Sequence, residues 1–188
     1  WVMPEPTNNQ QYLIDIVKVK YNSDIRKSNL GNIFQLYHSQ AITFKIENVR
    51  FSGIEAMNQY HDRIEIGKNV QLVMNNCYVD CSNDEQIYGA SYPVINISGS
   101  GRNSQISNVT ITGRVGYGIT VAESNKSGLL LDHVNIPVGE DYALSLSGSA
   151  AMVTIRGEDS FLRTCKVSNG GCLIAEEGTI IGHNNYSG

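Results

Sequence analysis

Carboxylates and tyrosines crowd into two stretches of the chain, SGIEAMNQYHD (52–62) and SNDEQIYGASY (82–92). The first holds Glu55, Tyr60, His61 and Asp62. The second holds Asp84, Glu85, Tyr88 and Tyr92. A tyrosine ring stacks on the apolar face of a sugar while its hydroxyl makes a hydrogen bond. Carboxylates accept bonds from sugar hydroxyls and serve as general acids and bases. Glu65 stands just after the first stretch, between Ile64 and Ile66. If the isoleucines point inward, Glu65 points outward. Its rival reading is a plain hydrated surface, and charged loop residues in general are most often only solvated. Asp80 and Asp84 with Arg50 come nearest to the clustered acids and base of a metal-dependent lyase. His133, Asp132 and Asp141 lie further on, His133 reading as a turn residue rather than a catalyst.

What would position these groups is a repeat. IENVRFSG (46–53) returns as ISNVTITG (106–113), with MNNCYVDC (74–81) between them and LDHVNIPV (131–138) after. Aligned, the four place Asn48, Asn76, Asn108 and His133 in one column, each followed by Val or Cys. A second series keeps step with it: Phe34/Leu36, Ile64/Ile66, Ile95/Ile97, Ile119/Val121 and Leu144/Leu146. Self-similarity at this period marks a solenoid. Each member alternates apolar and polar, as strands do. No helical periodicity is present, which excludes leucine-rich, ankyrin and tetratricopeptide repeats. The expected unit is a coil of three short strands, for example RIEIG (63–67), QLVMN (71–75) and CYVDC (77–81), with Asn76 as a one-residue corner. Asn suits that corner because it tolerates the left-handed backbone region. Stacked coils place such residues about 4.8 Å apart, close enough for their amides to bond along the stack. The same stacking bears on the carboxylates. Retaining glycosidases hold their carboxyl pair about 5 to 5.5 Å apart and inverting ones about 6.5 to 9.5 Å. Asp62 or Glu65 could therefore pair with Asp84 or Glu85.

Composition narrows the classes. The chain has 188 residues, 41% hydrophobic and only 17% charged, with a net charge of −4. One domain is expected. Without a basic block, no nucleic-acid partner is expected. No apolar run reaches the roughly 18 residues of a membrane span. The chain opens WVMPEP, with neither an initiator Met nor a signal peptide, as a fragment or processed product would. Cys77 and Cys81, like Cys165 and Cys172, lack CxxC spacing, so they read as free thiols and no zinc site, other metal or cofactor is expected.

The three-strand coil with a short Asn turn resembles the pectate-lyase-like right-handed β-helix superfamily over roughly residues 30–157. Within it, the polar strands look most like those of phage tailspikes. The resemblance implies an all-β, right-handed single-stranded parallel β-helix, flanked by an N-terminal strand or cap (1–29) and an irregular last coil or C-terminal cap (158–188). It also implies a homotrimer on a virion tail, acting outside the cell on bacterial surface polysaccharide. Polygalacturonase signatures are missing: IGHNN (181–185) stands without a paired Asp. The DPHE signature of alginate epimerases is missing too. The expected function is receptor recognition at Glu55, Tyr60, His61, Tyr88 and Tyr92. The alternatives are a polysaccharide-cleaving hydrolase or lyase using Asp62, Glu65, Asp84 and Glu85, and a structural shaft or adhesin without a glycan site.

Overall fold

The computed structural model describes residues 13–17, 20–22, 34–52, 64–81, 93–98, 103–113, 116–122, 128–137 and 142–187. Every described element is a strand, and every pairing between strands is parallel. No helix among the described residues is long and apolar enough to cross a membrane. Together the strands form one curled sheet, shaped like a half-barrel.

One wall of the sheet stacks β3 (Phe34–Leu36), β6 (Ile64–Ile66), β8 (Pro93–Ser98), β10 (Tyr117–Ala122) and β12 (Tyr142–Ser147). Its register pairs Phe34 with Ile64, Ile64 with Ile95, Ile95 with Ile119, and Ile119 with Leu144. The apolar series expected from alternation is thus one stacked line, and Cys165 extends it. A second line of pairing joins β1 (Leu13–Val17), β4 (Ile42–Glu47), β7 (Val70–Cys81), β9 (Ser104–Gly113) and β11 (Gly128–Ile136). Beside it, β2 (Lys20–Asn22) pairs with β5 (Arg50–Ser52), and β5 with β7. β14 (Phe161–Ser168) joins the two lines: Phe161 and Leu162 pair with β11, and Cys165 through Ser168 pair with β12. The ladder runs on through β13 (Met152–Arg156) and β15 (Cys172–Ala175), and from β14 to β16 (Ile180–Ser187).

The corner residues explain the second line. Asn48, Asn76, Asn108 and His133 have φ of 55°, 51°, 52° and 52°. This is the left-handed region, in which Asn and His are enriched among residues other than glycine. In β7 the inward–outward alternation slips at this point: Met74 is buried, Asn75 and Asn76 face out, and Cys77 is buried again. One residue therefore turns the chain and returns it to the core. The two strands expected around Asn76 fall within one twelve-residue element, β7, whose pairing with β9 passes over the Asn76 corner. The amide ladder is also more local than expected. Asn76 Nδ2 donates to Asn48 Oδ1 at 2.6 Å, whereas Asn108 Nδ2 bypasses Asn76 and donates to Asn75 Oδ1 at 3.0 Å.

Inside, Phe34, Phe44 and Phe51 meet edge to face, at 5.0 and 6.4 Å from the Phe34 ring. They come from three strands, so their contact ties the walls across the interior. Buried Ser104 takes an aliphatic place in the core, and its Oγ accepts the Leu72 N–H at 3.0 Å. That bond removes the penalty of an unpaired polar group. Burial raises the Cys77 thiol above its ordinary value and pushes Cys165 up to about 12. Cys172 is exposed.

Two outcomes test this packing. Ile95 is fully buried at the centre of its line. Ile95→Ala should cost about 2 to 5 kcal/mol in urea unfolding, and Ile95→Asp should abolish the cooperative transition. Iodoacetamide at about pH 8 should label Cys172 in the native protein and reach Cys77 and Cys165 only after unfolding, because the thiolate is the reactive form.

Candidate functional site

Inward columns are filled by packing, so chemistry is left to outward columns and to the connections. Of the expected site residues, Glu55, Tyr60, His61, Asp62, Asp84, Glu85, Tyr88 and Tyr92 all lie outside the described residues, as does Asp141. Glu65 is described, and it faces outward between buried Ile64 and Ile66. The register sets it in the expected column, Gln35–Glu65–Asn96–Thr120–Ser145, and continues to Lys166. Two neighbours fix its carboxylate. Gln35 Nε2 donates to Oε2 at 3.1 Å, and the Tyr37 hydroxyl donates to Oε1. Tyr37 reaches it by lying across Gly67, where any Cβ would collide with the ring. Its own surface is 43% exposed. Further along, Thr120 Oγ1 donates to Asn96 Oδ1 at 2.8 Å.

Aromatic groups accompany this polar line. The Tyr117 and Tyr142 rings stand 5.8 Å apart, tilted by 38°. Lys166 Nζ lies 5.4 Å from the Tyr142 ring centre, within cation–π range. Sequence reasoning missed Tyr37, Tyr117, Tyr142 and Lys166. Two of them carried a signal: Tyr117 and Tyr142 each stand two residues before the aligned Ile119 and Leu144, so carrying the alignment two residues back would have revealed the pair. Lys166 lies beyond the last aligned strand.

A separate cluster forms at the far corner. Arg156 donates to Asp132 Oδ2 from Nε at 3.0 Å and from Nη2 at 2.8 Å, and His133 Nδ1 lies 2.7 Å from Asp132 Oδ1. The Arg156 hydrogen bonds hold the Asp132 carboxyl below its ordinary value; burial opposes this and the His133 bond reinforces it. Arg50 and Asp80 are 3.9 Å apart. No group of three or more metal-binding side chains is gathered among the described residues.

No family model, curated protein or solved structure matches the chain.

The Asp132 cluster yields a pH prediction. A carboxyl whose folded pKa lies below its unfolded value, about 3.9, stabilises the fold fully above that value. The contribution is lost as pH falls through the folded pKa. In a carbon-13 titration the Asp132 midpoint should lie below the ordinary value and rise toward it in Arg156→Met. Equal midpoints in the two proteins would show that Arg156 does not hold the charge.

Proposed function

We propose that the chain is a right-handed parallel β-helix of the pectate-lyase-like kind, three short strands to the coil, working as a tailspike-type receptor-binding protein that grips bacterial surface polysaccharide. Support for the coil comes from the parallel register. From Phe34 to Leu144 one inward line returns every 30, 31, 24 and 25 residues, and the pairing on both sides of the Asn48 and Asn76 corners keeps a single offset. A right-handed path is the hand that parallel crossovers strongly prefer.

The observation that carries the binding reading is the outward line from Gln35 to Lys166, flanked by Tyr37, Tyr117 and Tyr142. Hydroxyl and amide groups spaced about 4.8 Å apart along this line suit the repeating hydroxyls of an extended glycan. The tyrosines supply stacking surfaces. The connections bearing Asp62, Asp84 and Glu85 enter this same wall in the sequence, at β6 and β8. In the proposed assembly three copies stand parallel on a virion tail, outside the cell. A polysaccharide-cleaving hydrolase is the second reading. Glu65 favours it, an outward carboxylate held in place by Tyr37 and Gln35.

A glycan array probed with the isolated chain is the direct test. Binding of a bacterial polysaccharide is expected, and Tyr117→Ala or Tyr142→Ala should weaken it by ~1 kcal/mol. Wild-type affinity in the double variant would remove this wall from consideration. Release of reducing ends, lost in Glu65→Gln while binding persists, would make the protein a hydrolase. Failure to bind any glycan would leave a structural shaft. Sedimentation should give a trimer; a monomer at high concentration would count against the assembly alone.

A further inference from the structure

The core is cut open at the β15 end of the sheet. In β13 the inward residues Val153 and Ile155 are 0% and 1% exposed. One strand further, their register partners Leu173 and Ala175 are half-buried and exposed. Ile181 is half-buried where its partner Leu162 is fully buried. Ile174 and Ile180, facing outward, are 45% and 55% exposed. Among the described residues β15 pairs with β13 alone and β16 with β14 alone. Cys172 N–H donates to the Ala151 carbonyl and Glu176 N–H to the Ile155 carbonyl, both at 2.9 Å, so these groups face β13. Alternate residues of a strand face opposite neighbours, so the backbone groups of Leu173 and Ala175 face the open edge. Such edges are ordinarily blunted by lysine, proline or a covering element. Neither CLIA of β15 nor IIGHNNYS of β16 holds a lysine or a proline.

The β1 end offers the matching half. Among the described residues β1 pairs with β4 alone, β2 with β5 alone and β3 with β6 alone. Register carried strand by strand makes the two ends equivalent. One column runs from Asp15 through Lys45, Gln105 and Thr154 to Ile174. Another runs from Lys20 through Arg50, Thr110 and Phe161 to Ile180. A second copy placed one strand step beyond would set β1 on β15, and β2 and β3 on β16, and continue three ladders at once. The same register sets Ile14 and Ile16 opposite Leu173 and Ala175. Charge agrees with this placement. The turn from β15 to β16 holds exposed Glu176 and Glu177, and its counterpart stretch at the other end, VKVK (17–20), holds Lys18 and Lys20.

We propose that the chain stacks head to tail on a second copy, the β1 end of one molecule docking on the β15 end of another as the next layer of the same parallel sheet. Docking covers the inward residues left open at β15 and pairs both free edges. The two surfaces differ, so the contact does not close on itself and copies add in a line. It goes beyond the side-by-side trimer, which leaves these edges unpaired, and it needs no glycan.

Sedimentation of the full chain should give a mass that keeps rising with concentration and does not level off at three copies. Ala175→Pro removes a donor from the open edge and breaks no bond made within the chain. It should halt this growth while the urea midpoint stays unchanged. Ile180→Lys alters an exposed side chain and sets like charge opposite Lys20, and it should weaken stacking about two- to fivefold. Leu13→Cys tests the register. It places a thiol opposite Cys172 of the next copy, across strands ~4.8 Å apart and within disulfide range. Inside one chain five strands separate β1 from β15, which forbids that bridge. Mild oxidation should then give a ladder of multiples of the single-chain mass on a denaturing gel, and the unaltered chain dimers at most. Trimers that persist in Ala175→Pro while growth beyond them stops would support a contact separate from the side-by-side one. A mass that stops at one or three copies, growth unchanged in both edge variants, or cross-links of Leu13→Cys that end at dimers would overturn the proposal.

Discussion

A single residue with positive φ at each corner is the constraint on which the stacked sheet depends. Because Asn48, Asn76, Asn108 and His133 each turn the chain by themselves, the pairing offset is identical before and after the turn: Ile42 meets Val70 and Arg50 meets Tyr78 across the same interval. A one-residue slip there would send the inward side chains of the following strand to the solvent face. The left-handed region costs an ordinary L-residue roughly 1 to 2 kcal/mol, and Asn recovers part of this through local hydrogen bonds. Further along the chain the solution changes. The turn after Arg156 lengthens to Gly157–Ser160, with Gly157 packed against the His133 ring. Ser160 closes it from the inside: its Oγ accepts from Val134 N–H and donates to the Arg156 carbonyl. The corner absorbs the change, and the ladders on either side keep their registers.

Fixing the inward columns also fixes what stands beside them. Once Ile64, Ile95, Ile119 and Leu144 stack, the residues between the apolar pairs have no choice but to line up outside. Glu65 is then neighboured by Gln35 and Asn96 through backbone pairing alone. The backbone of such a line is fixed by the same pairing that fixes the core. A site built on it needs little ordering on binding, which favours affinity.

Alternation and the Asn column made the stacked lines legible before any coordinates, because burial imposes a period of two and the corner imposes one residue type. His133 was legible as a corner only through its neighbours, since His alone says little. Past Gly157 the pattern faded for physical reasons. Cys165 takes an inward place that an aliphatic residue held in earlier strands, and the four-residue turn carries no Asn marker. Tyr37 was hidden differently. Its contact with Glu65 depends on the missing side chain of Gly67, a pairing that no period within one strand reveals. Glu55, Tyr60, His61, Asp62, Asp84, Glu85, Tyr88 and Tyr92 rested on residue type alone, which places no atom.

The two arginines beside the corner line show how the same residue type takes opposite roles. Arg156 spends Nε and Nη2 on one oxygen of Asp132, whose other oxygen is engaged by His133. One carboxylate thus holds two of the five N–H donors of Arg156 in charge-assisted bonds. Arg50 also has an acid nearby, but Asp80 stands 3.9 Å away, beyond hydrogen-bond reach, and the guanidinium carbon lies 4.5 Å from the Tyr78 ring centre. Proximity of opposite charges therefore does not decide availability. Hydrogen-bond geometry does, and on that ground Arg156 ties β13 to β11 while, among the described residues, Arg50 makes only a long ion pair and a ring contact.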